Sequence, residues 1–263
     1  MTESLKNKLI ALANKYENKD FLTADPSKFM HLYTNTSDIE CAAFISANLA
    51  FGRREQILKH IQIILDAAGK SPCKWILDSE YKKFFPQNNK SFYRMYSNNS
   101  MLSFFDTLNS ILKNHKTLGN FIKTLNCQNP SPDLINLKDS KEEIHLCHKI
   151  AALFSQDCNL IPHTKDSACK KINLFLRWMV RDNSPVDMGL WTWYKKTDLL
   201  LPLDTHVMNQ ATELKMLAPT STGKVQAASF KKAIALTRSL QEVFPDDPVK
   251  GDFALFGLGV NSK

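Results

Sequence analysis

Residues 167–182 read SACKKINLFLRWMVRD, and the period of this stretch decides the fold class. Ala168, Ile172, Phe175, Leu176 and Met179 recur at the three- and four-residue spacing of one helical face. Lys170, Leu174, Arg177 and Arg181 fall at i, i+4, i+7 and i+11 on another face. The expected helix therefore packs on one side and carries positive charge on the other, with Asp166 or Ser167 placed to cap it. Two adjacent lysines, Lys170 and Lys171, open it at the end where the helix dipole disfavours cations. The ordinary reading of such a pair is a solvated helix end. The chemically loaded reading is an amine held where it acts as a nucleophile.

The same period runs through most of the chain. In DIECAAFISANLAFGRREQILKHIQIILDAAG, Asp38 is placed to cap a helix carrying Ala42, Ile45 and Leu49, and Gly52-Arg53-Arg54 interrupts it. Periodicity resumes from Gln56 to Ala67, with Ile57, Ile61 and Ile64 on one face. Shorter helices are expected over 72–79, 98–114 and 117–125, another from Lys141 to Gln156, and a long one over 225–243. Asp204 is placed to cap a helix beginning THVMNQATEL, and Asp246 or Asp247, followed by Pro248, to open the last. No internal repeat and no strand alternation stand out, so the expected class is all-α. The chain reads as a single unit over 1–263, with a lobe boundary near 127–143, where CQNPSPDLINLKDSKEE holds two prolines and many polar residues.

Composition sets limits on function. Lys and Arg total 34 against 26 acidic residues, a net charge of +8. That excess suits a polyanionic partner and equally suits a lysine-rich composition with no such partner. With only 8 glycines, a Gly-rich phosphate loop is not expected. The 6 cysteines include no CxxC pair, so neither a zinc site nor an iron–sulfur ligand set is expected. They read as free thiols, and no cofactor or metal is expected. The start, MTESLKNKLIALANKYENKD, has no signal-peptide core, and no apolar run reaches the roughly 18 residues of a span. The expected location is cytoplasmic.

Taken residue by residue, the most suggestive constellation is SACKKINLFLRW followed by PLDTHV. A lysine amine attacks electrophilic carbon only when neutral. Bringing a side-chain pKa near 10.4 down to about 7–8 requires about 3–4 kcal/mol. A helix N-terminus supplies about 0.3–1 kcal/mol of that. Neighbouring cations add a modest part, and desolvation under a bound substrate must supply the rest. Asp204 before a helix is ordinarily an N-cap, and His206 in DTHV ordinarily a packed or surface histidine. Trp178, Trp191 and Trp193 suit base stacking, although tryptophans beside a helix are ordinarily core.

These residues resemble the helix-hairpin-helix DNA glycosylase superfamily. There a lysine opens the second hairpin helix, in patterns such as K-T-A-N-V-V-L, and an aspartate follows in V-D-T-H or V-D-V-H. Lys170, Asn173, Leu174 and Leu176 match the helix, and Pro202, Asp204, Thr205, His206 and Val207 match the aspartate motif. More closely, the chain is identified as a member of the bacterial DUF2400 family. The resemblance runs through HLYTN, DIECAAFISANLAFGRR, SFYRMYS, LIPHTKDSACKKINLFLRWMVRDNSPVDMGLW, LPLDTHV and FPDDPVKGDFALFGLGV.

Three features depart from the glycosylase pattern. HTKDSAC has no glycine where L-P-G-[VI]-G precedes the lysine. Lys170 and Asp204 lie 34 positions apart (204 − 170), about twice the usual spacing. The four-cysteine iron–sulfur motif of the endonuclease III branch is absent. The archaeal 8-oxoguanine glycosylases share the long spacing and the non-standard hairpin, which makes them the nearest functional analogue.

The resemblance implies an all-α, helix-hairpin-helix glycosylase-like fold of two helical lobes with a cleft between them. It implies a base-excision repair glycosylase with abasic-site lyase activity on an oxidised purine such as 8-oxoguanine. Lys170 would be the nucleophile and Asp204 its carboxylate partner. Lys171, as the alternative nucleophile, and Arg181 would lie near phosphate, and Trp191, Trp193 and His206 would wall a base pocket. The implied partner is double-stranded DNA with a damaged base, bound by a monomer without a membrane, in the nucleoid. The alternative from another class is a non-catalytic protein that recognises damaged or distorted DNA.

Overall fold

A computed structural model describes residues 1–127 and 145–261. The described residues are mostly helical. In chain order the helices are α1 (Glu3–Tyr16), α2 (Thr36–Leu49), α3 (Arg54–Ala68), α4 (Pro72–Leu77), α5 (Tyr81–Phe84), α6 (Asn98–His115), α7 (Leu118–Cys127), α8 (Leu146–Ala151), α9 (Lys170–Val180), α10 (Thr205–Glu213), α11 (Phe230–Gln241) and α12 (Gly251–Asn261). A hairpin of β1 (Ser91–Tyr93) and β2 (Tyr96–Ser97) is an element that alternation did not announce, because two- and three-residue strands are too short to show a period.

The chain divides into two compact units, Phe29–His163 and Met1–Lys28 with Thr164–Lys263. The chain passes between them at 28/29 and 163/164, while nearly all of the expected boundary at 127–143 lies outside the described residues, as does the start of the helix expected from Lys141.

In the Phe29–His163 unit, α2 is buried from Asp38 to Leu49, so it has no solvent face. Two of its acidic side chains are reconciled with burial by serving other helices. Asp38 accepts hydrogen bonds from Ser71 Oγ (2.7 Å) and Cys73 N (3.0 Å) at the start of α4. Glu40 accepts from Gly119 N (3.0 Å) at the start of α7. Asp38 is therefore not the cap of its own helix; Asn35 is, accepting from Ser37 N at 2.9 Å. Each buried carboxylate thus meets a helix N-terminus, the end of a helix dipole that stabilises an anion. Stacked rings of Phe44, Phe104 and Phe154 fill the space beside α2.

In the second unit α1, from the start of the chain, packs with α9–α12. Its core gathers Leu9 and Ala13 of α1, Ala168, Leu201, Leu203, Val207, Met208, Ala233, Leu236 and Leu255. The approach of α1 to α12 is close: a Cβ built on Gly257 would lie 2.3 Å from Tyr16 Cγ. Gly257→Ala is expected to cost about 1–3 kcal/mol, as overpacking does elsewhere. Chemical denaturation checks this, and an unchanged midpoint would show that the two helices separate freely.

Candidate functional site

The segment before α9 is fixed by the hydrogen bonds of its own side chains. Asn173, buried in the first turns, donates from Nδ2 to Ala168 O at 2.8 Å. Cys169, in the left-handed region at φ 46°, is the N-cap residue and makes no side-chain cap bond. Ser167 Oγ accepts from Cys169 N at 3.1 Å. The expected cap at Asp166 or Ser167 is thus displaced to Cys169, three or two residues later, in a tight turn. That turn places a non-glycine residue in strained backbone immediately before Lys170.

Asp204 arrives by a different route. Leu201 N donates to Thr237 Oγ1 (3.0 Å) on α11, and buried Leu201 and Leu203 anchor the extended approach to α10. Asp204 Oδ1 accepts from Val207 N at 2.9 Å, so Asp204 is the cap of α10 that the sequence suggests. Its other oxygen, Oδ2, lies 3.4 Å from Lys170 Nζ. The cap bond fixes one carboxylate oxygen and turns the other toward the amine. Both side chains retain access to solvent, Lys170 at 31% and Asp204 at 14%.

Beneath this pair lies an ionic network that the sequence did not disclose. Arg177 is 2% exposed, paired with Asp187 at 3.2 Å and with Asp252. Arg181, also 2% exposed, meets Glu17 at 2.9 Å and Asp247 at 2.7 Å, and pairs with Asp187. Both guanidiniums lie over the Phe253 ring, at 4.5 and 5.3 Å. The arginines of the expected positively charged face of α9 are therefore buried, while Lys170 at its start reaches solvent. Arg181 is turned away from any role in contacting phosphate, because four carboxylates already surround the two arginines.

Burial raises proton affinities in this network. Burial pushes Asp252 up to about 6, against the pull of Arg177, with Asp204 adding to the rise and Lys170 opposing it. Asp252 Oδ1 is buried without a hydrogen-bond partner among the described residues. Burial likewise raises Asp187, while Arg177 and Arg181 pull it back. Because folding raises the Asp252 pKa, its contribution to stability is full below about 4, the unfolded carboxylate range. It is lost as pH climbs from about 4 to about 6. The stability of Asp252→Asn relative to the native chain should accordingly improve across pH 4–6 in parallel urea titrations. A pH-independent difference would contradict this.

The remaining predicted residues are placed as follows. Lys171 is half-buried at the second position of α9. His206 is half-buried and edge-on to Phe256 at 6.0 Å. Trp191, expected to wall a base pocket, is 2% exposed, edge-on to Phe175 at 5.2 Å and stacked on Trp193 at 5.3 Å. Its backbone N–H donates to Met179 O at 2.8 Å, which pins it at the C-terminal half of α9. That attachment lies about 13 Å along the helix from Lys170. Trp191 is a core residue, and half-buried Trp193 leans on it.

The arrangement offers a solvent-reachable amine beside an oriented carboxylate, over a low-dielectric floor with more carboxylates than cations. Such a floor favours positive charge developing above it. No helix among the described residues is long and apolar enough to cross a membrane. No curated protein and no solved structure matches the chain. The model of the family described as "Protein of unknown function (DUF2400)" matches residues 25–261, and the chain belongs to that family.

Proposed function

We propose that the protein is a DNA glycosylase with abasic-site lyase activity, of the helix-hairpin-helix type, acting on an oxidised purine such as 8-oxoguanine. The observation that carries this reading is the approach of Lys170 Nζ to Asp204 Oδ2, at 3.4 Å, from two helix starts far apart in sequence. The damaged nucleotide leaves the stack at a cost of a few kcal/mol, least for a lesion. The neutral Lys170 amine forms a bond to the sugar C1′ as the glycosidic bond breaks. The base departs with that electron pair and takes up a proton. Loss of the amine proton and ring opening give a Schiff base, and elimination from it nicks the strand on the 3′ side. Asp204 orients the amine and stabilises the positive charge developing on the sugar.

Borohydride added to the protein with duplexes carrying 8-oxoguanine or an abasic site tests this. A covalent protein–DNA adduct is expected, and it should vanish in Lys170→Ala. Salt-dependent binding to the same duplexes with no adduct would sink the lyase chemistry. That outcome would leave the second reading, a non-catalytic binder of damaged DNA. The glycine-free turn HTKDSAC favours it, since the amides of the glycine hairpin in the glycosylases are what hold a phosphate.

A further inference from the structure

Three of the chain's arginines, Arg53, Arg54 and Arg94, are exposed on the Phe29–His163 unit, and among the described residues none is paired with a carboxylate. Arg177 and Arg181, buried and each shared among acids, show the opposite use of the same side chain. The exposed three are gathered by local structure. Arg94 occupies the two-residue turn between β1 and β2, at φ 53°. Its guanidinium lies over the Phe51 ring at 4.8 Å. Tyr93 Oη donates to Phe51 O at 2.7 Å, tying the hairpin to the chain entering α3. Gly52, at φ 121°, lets the two approach: a Cβ there would meet Tyr93 Oη at 2.8 Å and Arg94 Nη1 at 2.9 Å. Arg53 and Arg54 follow directly at the start of α3, where Glu55 is the one neighbouring carboxylate in sequence.

Beside the charges lie two exposed apolar groups. Phe51 is 42% and Met95, at the hairpin turn, 59% exposed. Leaving such side chains in water gains nothing for the fold, and no carboxylate among the described residues offsets the three nearby arginines. Together they match one kind of partner. Planar guanidinium forks bind phosphate oxygens bidentately, and an exposed ring offers a face on which a base stacks.

We propose that Phe51, Arg53, Arg54, Arg94 and Met95 form a nucleic-acid-binding surface, with the arginines on phosphates and Phe51 and Met95 against an unpaired or unstacked base. The surface belongs to residues other than the Lys170–Asp204 pair and does not depend on its chemistry.

Fluorescence anisotropy with a labelled oligonucleotide, single-stranded and as a duplex with an abasic site, is measured over a range of KCl concentrations. For R53A/R54A/R94A the log K against log salt slope is expected to flatten by about two to three, near 0.7–0.9 for each lost phosphate contact. F51A/M95A should bind roughly tenfold more weakly with the slope retained. All five side chains are exposed, so thermal melting should confirm intact folding of both variants. An unchanged slope in the arginine variant, or binding of the native chain to phosphatidylserine vesicles but to neither oligonucleotide, would overturn the proposal. So would no binding to any of the three probes. Lys170→Ala run alongside separates the readings: it should abolish the borohydride adduct while leaving the salt slope unchanged. An adduct with an unchanged arginine slope would retain the glycosylase and remove this surface.

Discussion

Arg177→Ala is expected to lower the unfolding free energy by about 3–5 kcal/mol, the range seen when one partner of a buried ion pair is removed. The substitution strips Asp187 and Asp252 of a shared cation in a region 2% or less exposed for Arg177 and Asp187. It also removes the guanidinium from the Phe253 ring, 4.5 Å away. Most of the loss is the cost of uncompensated buried charge, not of absent packing. Arg177→Met, which keeps the apolar volume, should therefore be nearly as damaging. Arg177→Ala with Asp252→Ala should recover part of the loss, because one stranded carboxylate goes with its partner. Urea unfolding of the three variants checks this ordering. A cost below about 1 kcal/mol for Arg177→Ala would mean that water reaches the network freely.

Lys170→Ala is expected to abolish Schiff-base formation and to reduce base release by at least about a thousandfold, on the scale seen when a nucleophile is removed. Asp204→Asn gives the sharper test of mechanism. Asparagine caps a helix as well as aspartate does, so the bond to Val207 N should survive and stability should hardly change. What is lost is the negative oxygen that faces Lys170 at 3.4 Å. Removing one such preorganised electrostatic group costs about 100- to 1,000-fold in rate. Single-turnover base release from an 8-oxoguanine duplex measures both variants. An Asp204→Asn rate within a few-fold of the native chain would reduce Asp204 to a cap and nothing more.

Much of the helical framework was legible because amphipathic periods are local. The expected helix over 98–114 is Asn98–His115, and the one over 117–125 is Leu118–Cys127. What was not legible depends on partners distant in sequence. Asp38 reads as a cap for its own helix but serves α4, 35 positions away, through Cys73 N. The two arginines of α9 differ from the periodic expectation for the same reason. A helical wheel shows that Arg177 and Arg181 share a side, yet not that Glu17, Asp187, Asp247 and Asp252 converge there.

The candidate site divides similarly. The residue types and both helix starts stood in SACKK and PLDTHV, whereas the carboxylate-rich floor came from Glu17, Asp187, Asp247 and Asp252, which no local pattern brings together. Trp191 departs from its local pattern in the same way. Its nearness to α9 in sequence suggested a pocket wall, and its pinning to Met179 O makes it core.

The most direct test of the central claim is to digest the borohydride-trapped protein–DNA adduct and locate the modified lysine by mass spectrometry. The account predicts a reduced sugar remnant on Lys170 and on no other lysine. A remnant on Lys171, a remnant scattered over surface lysines, or no adduct at all would contradict it.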